Sequence, residues 1–170
     1  MKPDVTMFSD ASVFADRRKS GWGFWIKGDD RDSMSAGGPI EVFHPNSDRA
    51  ELDAIANGLA CADAAGYFRP SDRLIMIQSD NAGALMVLQA ATQAINRPHE
   101  ESAELHRRKK PLDAHQQVAA DRISAIIRRH GLTVLVRHVR GHKDGGGRNW
   151  VNRHCDRLAK QGAFQPRKVA

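Results

Sequence analysis

Four carboxylates and one imidazole occupy positions where chemistry is feasible. Asp10 closes the apolar run DVTMFSD, and Asp80 closes a second, RLIMIQSD. Glu51 stands beside Leu52, and Asp156 beside Cys155, each in a segment of helical period. His142 opens the loop GHKDGGG, fourteen residues before Asp156. Each acid sits at the edge of a core on a rigid element, where its side chain can turn inward. If the two strands carrying Asp10 and Asp80 are parallel neighbours, both acids lie together at the carboxyl ends of the strands, where open α/β sheets bind ligands.

Such a group does not coexist bare. Two unit charges about 4 Å apart repel by roughly 4 kcal/mol at an effective dielectric near 20. Several such pairs would rival the stability of a whole domain. The acids are therefore spread apart, or partly protonated, or neutralised by divalent cations. All-oxygen ligation selects Mg²⁺, with Mn²⁺ as a substitute. Two such ions about 3.5–4 Å apart can clamp the attacking water and the leaving oxygen of a phosphodiester. Singly, each acid has a plainer explanation. Asp10 and Asp80 suit strand ends or helix caps, Glu51 a solvated helix face, and Asp156 a pair with Arg153 or Lys160 on its own helix. It is the four together that point to a reaction.

The elements that must position them follow from periodicity. Strands are expected at 4–10, at GWGFWIK (21–27) and within 33–43, as an antiparallel meander. A helix capped by Ser47 or Asp48 puts Leu52, Ile55, Leu59 and Ala62 on one face and stops at Gly66. RLIMIQ (73–78) reads as a strand covered on both sides, followed by a helix from Ser79-Asp80-Asn81 to about Ala94. A helix from Asp113 to Arg129 turns Val118, Ile123, Ile126 and Ile127 inward. LTVLVRHV (132–139) is a fifth strand, and a last helix over 149–162 buries Val151, Cys155 and Leu158. The segment 96–112, polar and bracketed by prolines, is an excursion carrying RRKK, and 165–170 is a loose tail. The order predicts one α/β domain over residues 1–170.

The 170 residues carry a net charge of +6. Residues 137–170 hold nine Lys or Arg against two acids, so the basicity is gathered at one end, with RRKK as a further run. Clustering of that kind favours a polyanionic partner. No run of about 18 apolar residues suggests a membrane span. The two cysteines, Cys61 and Cys155, are too few for a disulfide framework and lack metal-site spacing. A cytoplasmic monomer is the expectation. Trp22 and Trp25 read as packing residues, while Trp150 suits either packing or stacking on nucleic acid.

At the acids the chain resembles the type 1 ribonuclease H family. FSDAS matches a strand ending in D-G-S, DRAEL a helix opened by R-x-E-L, and QSDNA a strand ending in T-D-S. VRGH and NRHCDRLA match a loop G-H and a C-D-x-L-A helix, so the pattern runs in order from residue 5 to about 163. The resemblance implies a five-stranded mixed sheet of order 3-2-1-4-5 with helices on both faces. It implies an endoribonuclease that hydrolyses the RNA strand of RNA–DNA hybrids, leaving 5′-phosphate and 3′-hydroxyl ends. Asp10, Glu51, Asp80 and Asp156 would hold two Mg²⁺ ions, and His142 would move protons or help product leave.

By the same resemblance Arg107, Arg108, Lys109 and Lys110 would grip the hybrid. Ser12, Ser47 and Asn81 would contact it as well. The chain departs from the family at VFADRRKS, at Ser47-Asp48 and at Asn81-Ala82, the last two being positions where relatives use amides to read the minor groove. The acid set is complete, whereas the strand-reading set is altered. A DNA-directed nuclease or strand-transfer domain of the same superfamily, or a non-catalytic binding relative, would share the scaffold.

Overall fold

The computed structural model describes residues 2–96, 110–140 and 149–167, and the main chain alone at 95, 96 and 149. Among them are β1 (Val5–Phe14), β2 (Lys19–Gly28), β3 (Met34–Pro39), α1 (Ser47–Ala64), β4 (Leu74–Ser79) and α2 (Ala82–Thr92). A two-residue β5 (Ile95–Asn96), α3 (Ala114–His130), β6 (Thr133–His138) and α4 (Asn149–Ala163) follow. The sheet order is β3-β2-β1-β4-β6-β5. The five long strands thus stand in the expected order, and β5 adds a short edge beyond β6. It pairs Ile95 with Leu135 and Asn96 with Val136.

β1 and β2 are antiparallel through ten residues, from Val5 opposite Gly28 to Phe14 opposite Lys19. β1 is therefore longer than the sequence suggested, and Asp10 lies within it rather than at its end. What does end near Asp10 is the parallel pairing with β4, whose last partners are Phe8 and Gln78. β4 and β6 are parallel in turn, closing at Ser79 opposite His138. The strand ends that the ligand rule concerns therefore gather at one point.

Side-chain alternation splits the sheet's two faces. Val5, Met7, Phe24, Ile26, Ile75 and Ile77 join Leu52, Ile55, Leu59, Leu85, Leu88 and Ile123 in the larger core under α1, α2 and α3. Phe8 meets Val151 and Cys155 of α4 on the other face, with Trp25 packed against them. α4 spans β1, β2 and β3. Beside it a pocket of about 460 Å³ opens over Phe8, Met76, Gln78 and Arg137. Trp22 stacks on Phe24, and Trp25 meets Phe8 edge-on, so both tryptophans pack, on opposite faces. Trp150 leans on Trp25 at 5.8 Å and stays half exposed.

Local chemistry sets the helix ends. Asn46, not Ser47 or Asp48, caps α1, its side chain accepting from the amides of Asp48 and Arg49. Asparagine is as good a cap as serine or aspartate, and here it stands one position earlier. Asn81 caps α2 through the Ala84 amide. Asp113 and Gln116 form a reciprocal capping box on α3, which ends at Gly131 in a left-handed conformation, φ 62°. Val118, expected inward, is 62% exposed. The buried stripe of α3 is Ala119, Ala120, Ile123, Ile126 and Ile127, and Val118 falls about 100° round the helix from Ala119. Among the described residues no helix is long and apolar enough to cross a membrane.

α4 reaches the sheet closely because glycines lie beneath it. A Cβ on Gly23 would run into the Cys155 carbonyl, and one on Gly21 into that of Ala159. A Cβ on Gly37 would come within 2.8 Å of the Leu158 carbonyl. The helix that carries Asp156 is thus seated on main chain. Leu158, expected in the buried stripe, is only partly covered, while Ala159 is fully buried.

Candidate active site

Asp10 projects from β1 just past the end of the β1–β4 pairing and is 8% exposed. Glu51, five residues into α1, is buried as well. Both converge on one amide: Ala11 N–H donates to Asp10 Oδ1 at 2.9 Å and to Glu51 Oε1 at 3.0 Å. Asp80 follows β4 directly. Its carbonyl meets His138 Nε2 at 3.0 Å, which ties the turn after β4 to the end of β6. One oxygen each from Asp10, Glu51 and Asp80 fall within 4.8 Å of one another. Three acids 29 to 70 residues apart in sequence thus share one small volume.

The electrostatics carry the signature of crowded, dehydrated carboxylates. Burial pushes Asp10 up to about 7, with the charges of Asp80 and Asp156 adding to it against the hydrogen bond with Glu51 and the Ala11 amide. Glu51 is held well above the usual carboxylate range, first by burial and then by Asp10 and Asp80. Their mutual interaction lowers Asp10 and raises Glu51, so Glu51 holds its proton the more firmly of the two. Glu51 Oε2 is sealed from solvent with no hydrogen-bond partner among the described residues. A buried, partnerless carboxylate oxygen beside two further acids is a donor set suited to a hard divalent cation.

Asp156 stands apart from the other three. It is close enough for its charge to act on Asp10, but its Oδ2 is engaged by Lys160 Nζ at 2.7 Å, one turn along α4. The plain helix pairing considered for Asp156 is therefore present. Beneath it, Cys155 is buried, its thiol directed at the Phe8 carbonyl at 3.7 Å and pushed up by burial and by the charges of Asp10 and Glu51.

The other sequence-predicted residues divide. Ser12 is buried in β1, two residues beyond Asp10. Ser47 is exposed at the first position of α1. Asn81 is occupied structurally: besides capping α2, its Nδ2 donates to Asp48 Oδ1 at 2.8 Å. Asp48, which cannot donate while ionised, thus accepts from Asn81 in the gap between α1 and α2. Lys110 is exposed at the start of the approach to α3. His142 and Arg107, Arg108 and Lys109 lie outside the described residues. Sequence reading also passed over His44, Asp53 and His115, which meet at a second point. Their separations of nine and 62 residues match no metal-ligand spacing, so no local signal marks them.

The RNase H family model matches residues 2–164. In fold the chain is similar to RNase H1 from the halophilic archaeon Halobacterium salinarum NRC-1, with 17% identity over 93% of this chain and 96% of that one and a TM-score of 0.59. It is similar to the N-terminal RNase H domain of Rv2228c from Mycobacterium tuberculosis, solved as a maltose-binding-protein fusion (14% identity, 94% and 98% covered, TM-score 0.59). It is similar also to LC11-RNase H1, isolated from compost by a metagenomic approach and solved in complex with an RNA/DNA hybrid (14% identity, 94% and 96% covered, TM-score 0.58). No curated protein matches it in sequence. With the family pattern running through nearly its whole length, the chain belongs to the RNase H family.

Proposed function

We propose that the chain is a metal-dependent endoribonuclease that hydrolyses the RNA strand of RNA–DNA hybrids, leaving 5′-phosphate and 3′-hydroxyl ends. The observation that carries this reading is the meeting of Asp10, Glu51 and Asp80 within 4.8 Å, with Glu51 Oε2 buried and partnerless. Family membership supports a nuclease, and the LC11 relative was solved with the same class of substrate.

In this reading Asp10, Glu51, Asp80 and Asp156 hold two divalent ions, Mg²⁺ or Mn²⁺ in its place. When bound, such ions supply charge neutralisation at the phosphate and lower the pKa of water. Asp10 and Glu51 would be central to that set, since a bound cation would favour the ionised form that their burial opposes. The Ala11 amide keeps one oxygen of each acid fixed, so little reorganisation accompanies loading. Asp156 would complete the set, with its pair to Lys160 given up for the cation. His142, with a side chain suited to proton work near neutral pH, serves the leaving group or the departing product. Ser12, Ser47 and Asn81 contact the hybrid, and Arg107, Arg108, Lys109 and Lys110 grip its phosphates. The protein works as a cytoplasmic monomer, one domain over residues 1–170.

The deciding experiment offers hybrid, duplex RNA and duplex DNA of one sequence with Mg²⁺, with and without EDTA. The reading requires cleavage of the hybrid's RNA strand alone, abolished by EDTA. Cleavage of duplex DNA, or hybrid cleavage indifferent to EDTA, overturns it.

A further inference from the structure

A second cluster lies on the opposite side of α1 from the acids. His44 belongs to the segment between β3 and α1, Asp53 to α1, and His115 to the first turn of α3. One donor atom of each falls within 4.8 Å of the others. His115 Nε2 is 3.2 Å from Asp53 Oδ1, and the two imidazole rings lie 4.0 Å apart between centroids. Asp53 is 8% exposed. The arrangement is unlike an ordinary ion pair. His115 Nε2 is near Asp53 but out of hydrogen-bond alignment, and His44 Nε2 is equally sealed from solvent without a partner among the described residues. Two dehydrated ring nitrogens without hydrogen bonds, in one cluster with a buried carboxylate, carry a cost that partners would have removed. A single cation accounts for all three.

We infer that His44, Asp53 and His115 form a transition-metal site for Zn²⁺ or an ion of similar preference, separate from the carboxylate centre. Two imidazoles and one carboxylate suit Zn²⁺ or Co²⁺, whereas Mg²⁺ prefers oxygen donors. With bonds of about 2.0–2.1 Å, neighbouring ligands on a tetrahedral ion stand roughly 3.3 Å apart, close to the 3.2 Å between His115 and Asp53. A fourth position remains for water. The two sites do not merge, because Glu51 and Asp53 are two residues apart on α1 and so point about 200° away from each other.

Two arginines lie near, and the charge of Arg122 reaches Asp53, but each has a hydrogen-bond partner elsewhere. Arg49 pairs with Asp113 at 2.8 Å, and Arg122 donates to Asn57 at 3.0 Å. The metal would staple the β3–α1 segment and the start of α3 onto α1, next to the Arg49–Asp113 pair that joins the same helices.

The test is a Co²⁺ titration of the 170-residue chain, stripped of transition metals and held in saturating Mg²⁺, read by visible absorption and by melting temperature. One equivalent of Co²⁺ should develop the bands of a four- or five-coordinate nitrogen–oxygen site, and Zn²⁺ should erase them. At a hundredfold excess over Kd the melting temperature should rise by roughly 5–10 °C. Losing even a group that only orients a ligand weakens binding roughly 10- to 100-fold, so His44→Ala and His115→Ala should each weaken it by at least about tenfold. Asp10→Asn should leave the bands unchanged. No bands in the unaltered chain, bands lost in Asp10→Asn, or equal affinity in the His44→Ala chain would each overturn the inference. The first of these outcomes needs no variant to fold.

Discussion

Replacing Asp10 by Asn in the metal-free chain should stabilise it, and by an amount that depends on pH. The folded environment raises the Asp10 carboxyl from 3.8 to about 7, chiefly by burial. The folded chain therefore keeps a proton that the unfolded chain gives up above about pH 4, and stability falls as pH rises from there to about 7. At roughly 1.4 kcal/mol for each pH unit, the full loss is about 4 kcal/mol. Asparagine carries no charge to bury, keeps the shape, and its Oδ1 can still accept from a protonated Glu51. Because Asp10 and Glu51 titrate together, the gain at pH 8 should be about 2–4 kcal/mol, or roughly 4–16 °C in melting temperature. At pH 4 it should vanish. Thermal unfolding in EDTA at the two pH values is the assay, and Mg²⁺ should shrink the difference at pH 8 by stabilising the unsubstituted chain. A lower melting temperature for Asp10→Asn at pH 8, or a difference unchanged between the two pH values, would refute the account of a crowded acid site. Hybrid cleavage should be lost in the same variant.

Neutralising Arg107, Arg108, Lys109 and Lys110 together should weaken hybrid binding and flatten its log–log salt dependence, read by fluorescence anisotropy, because phosphate contacts set that slope. Arg31→Met removes the one cation that Asp72 meets at 2.7 Å among the described residues, leaving that buried carboxylate the Arg69 amide, and should cost about 3 kcal/mol in urea unfolding. Arg49→Ala removes only a solvent-screened pair to Asp113 and should leave the urea midpoint nearly unchanged in the same measurement. Gly23→Ala forces α4 off the sheet and should cost about 1–3 kcal/mol. Its hybrid cleavage should fall further than this modest destabilisation explains, since Asp156 moves with the helix.

The sequence carried the frame well where periodicity and burial coincide. RLIMIQ became β4 because an apolar run that short, flanked by turn residues, is covered on both faces. Leu52, Ile55 and Leu59 are buried because their spacing matches one helical face. Asp10, Glu51 and Asp80 were legible because each follows an apolar run or stands beside a buried residue in the sequence. Other features were set by contacts that no local pattern records. β1 runs on to Phe14 because β2 pairs with it that far, although its polar continuation looked like a loop. Asn46 was passed over as a cap because two further cap-forming residues follow it. Val118 was assigned to the core by its side chain alone, when the packed stripe is built largely from alanine and isoleucine. The engagement of Asp156 by Lys160 was one of two alternatives that spacing could not separate. His44 and His115 meet only because the β3–α1 segment and α3 pack on the same side of α1.

The seat of α4 has a consequence for how this protein can change. Where a helix rests on side chains, exchanging one rotamer or one methylene lets it slide. Here peptide groups touch peptide groups, so the standoff between Asp156 and β1 is fixed by covalent dimensions common to every protein. The surrounding apolar residues can drift without disturbing that standoff. Gly21, Gly23 and Gly37 can gain a methyl only by pushing the helix away, so the fourth carboxylate depends on the three smallest residues beneath it.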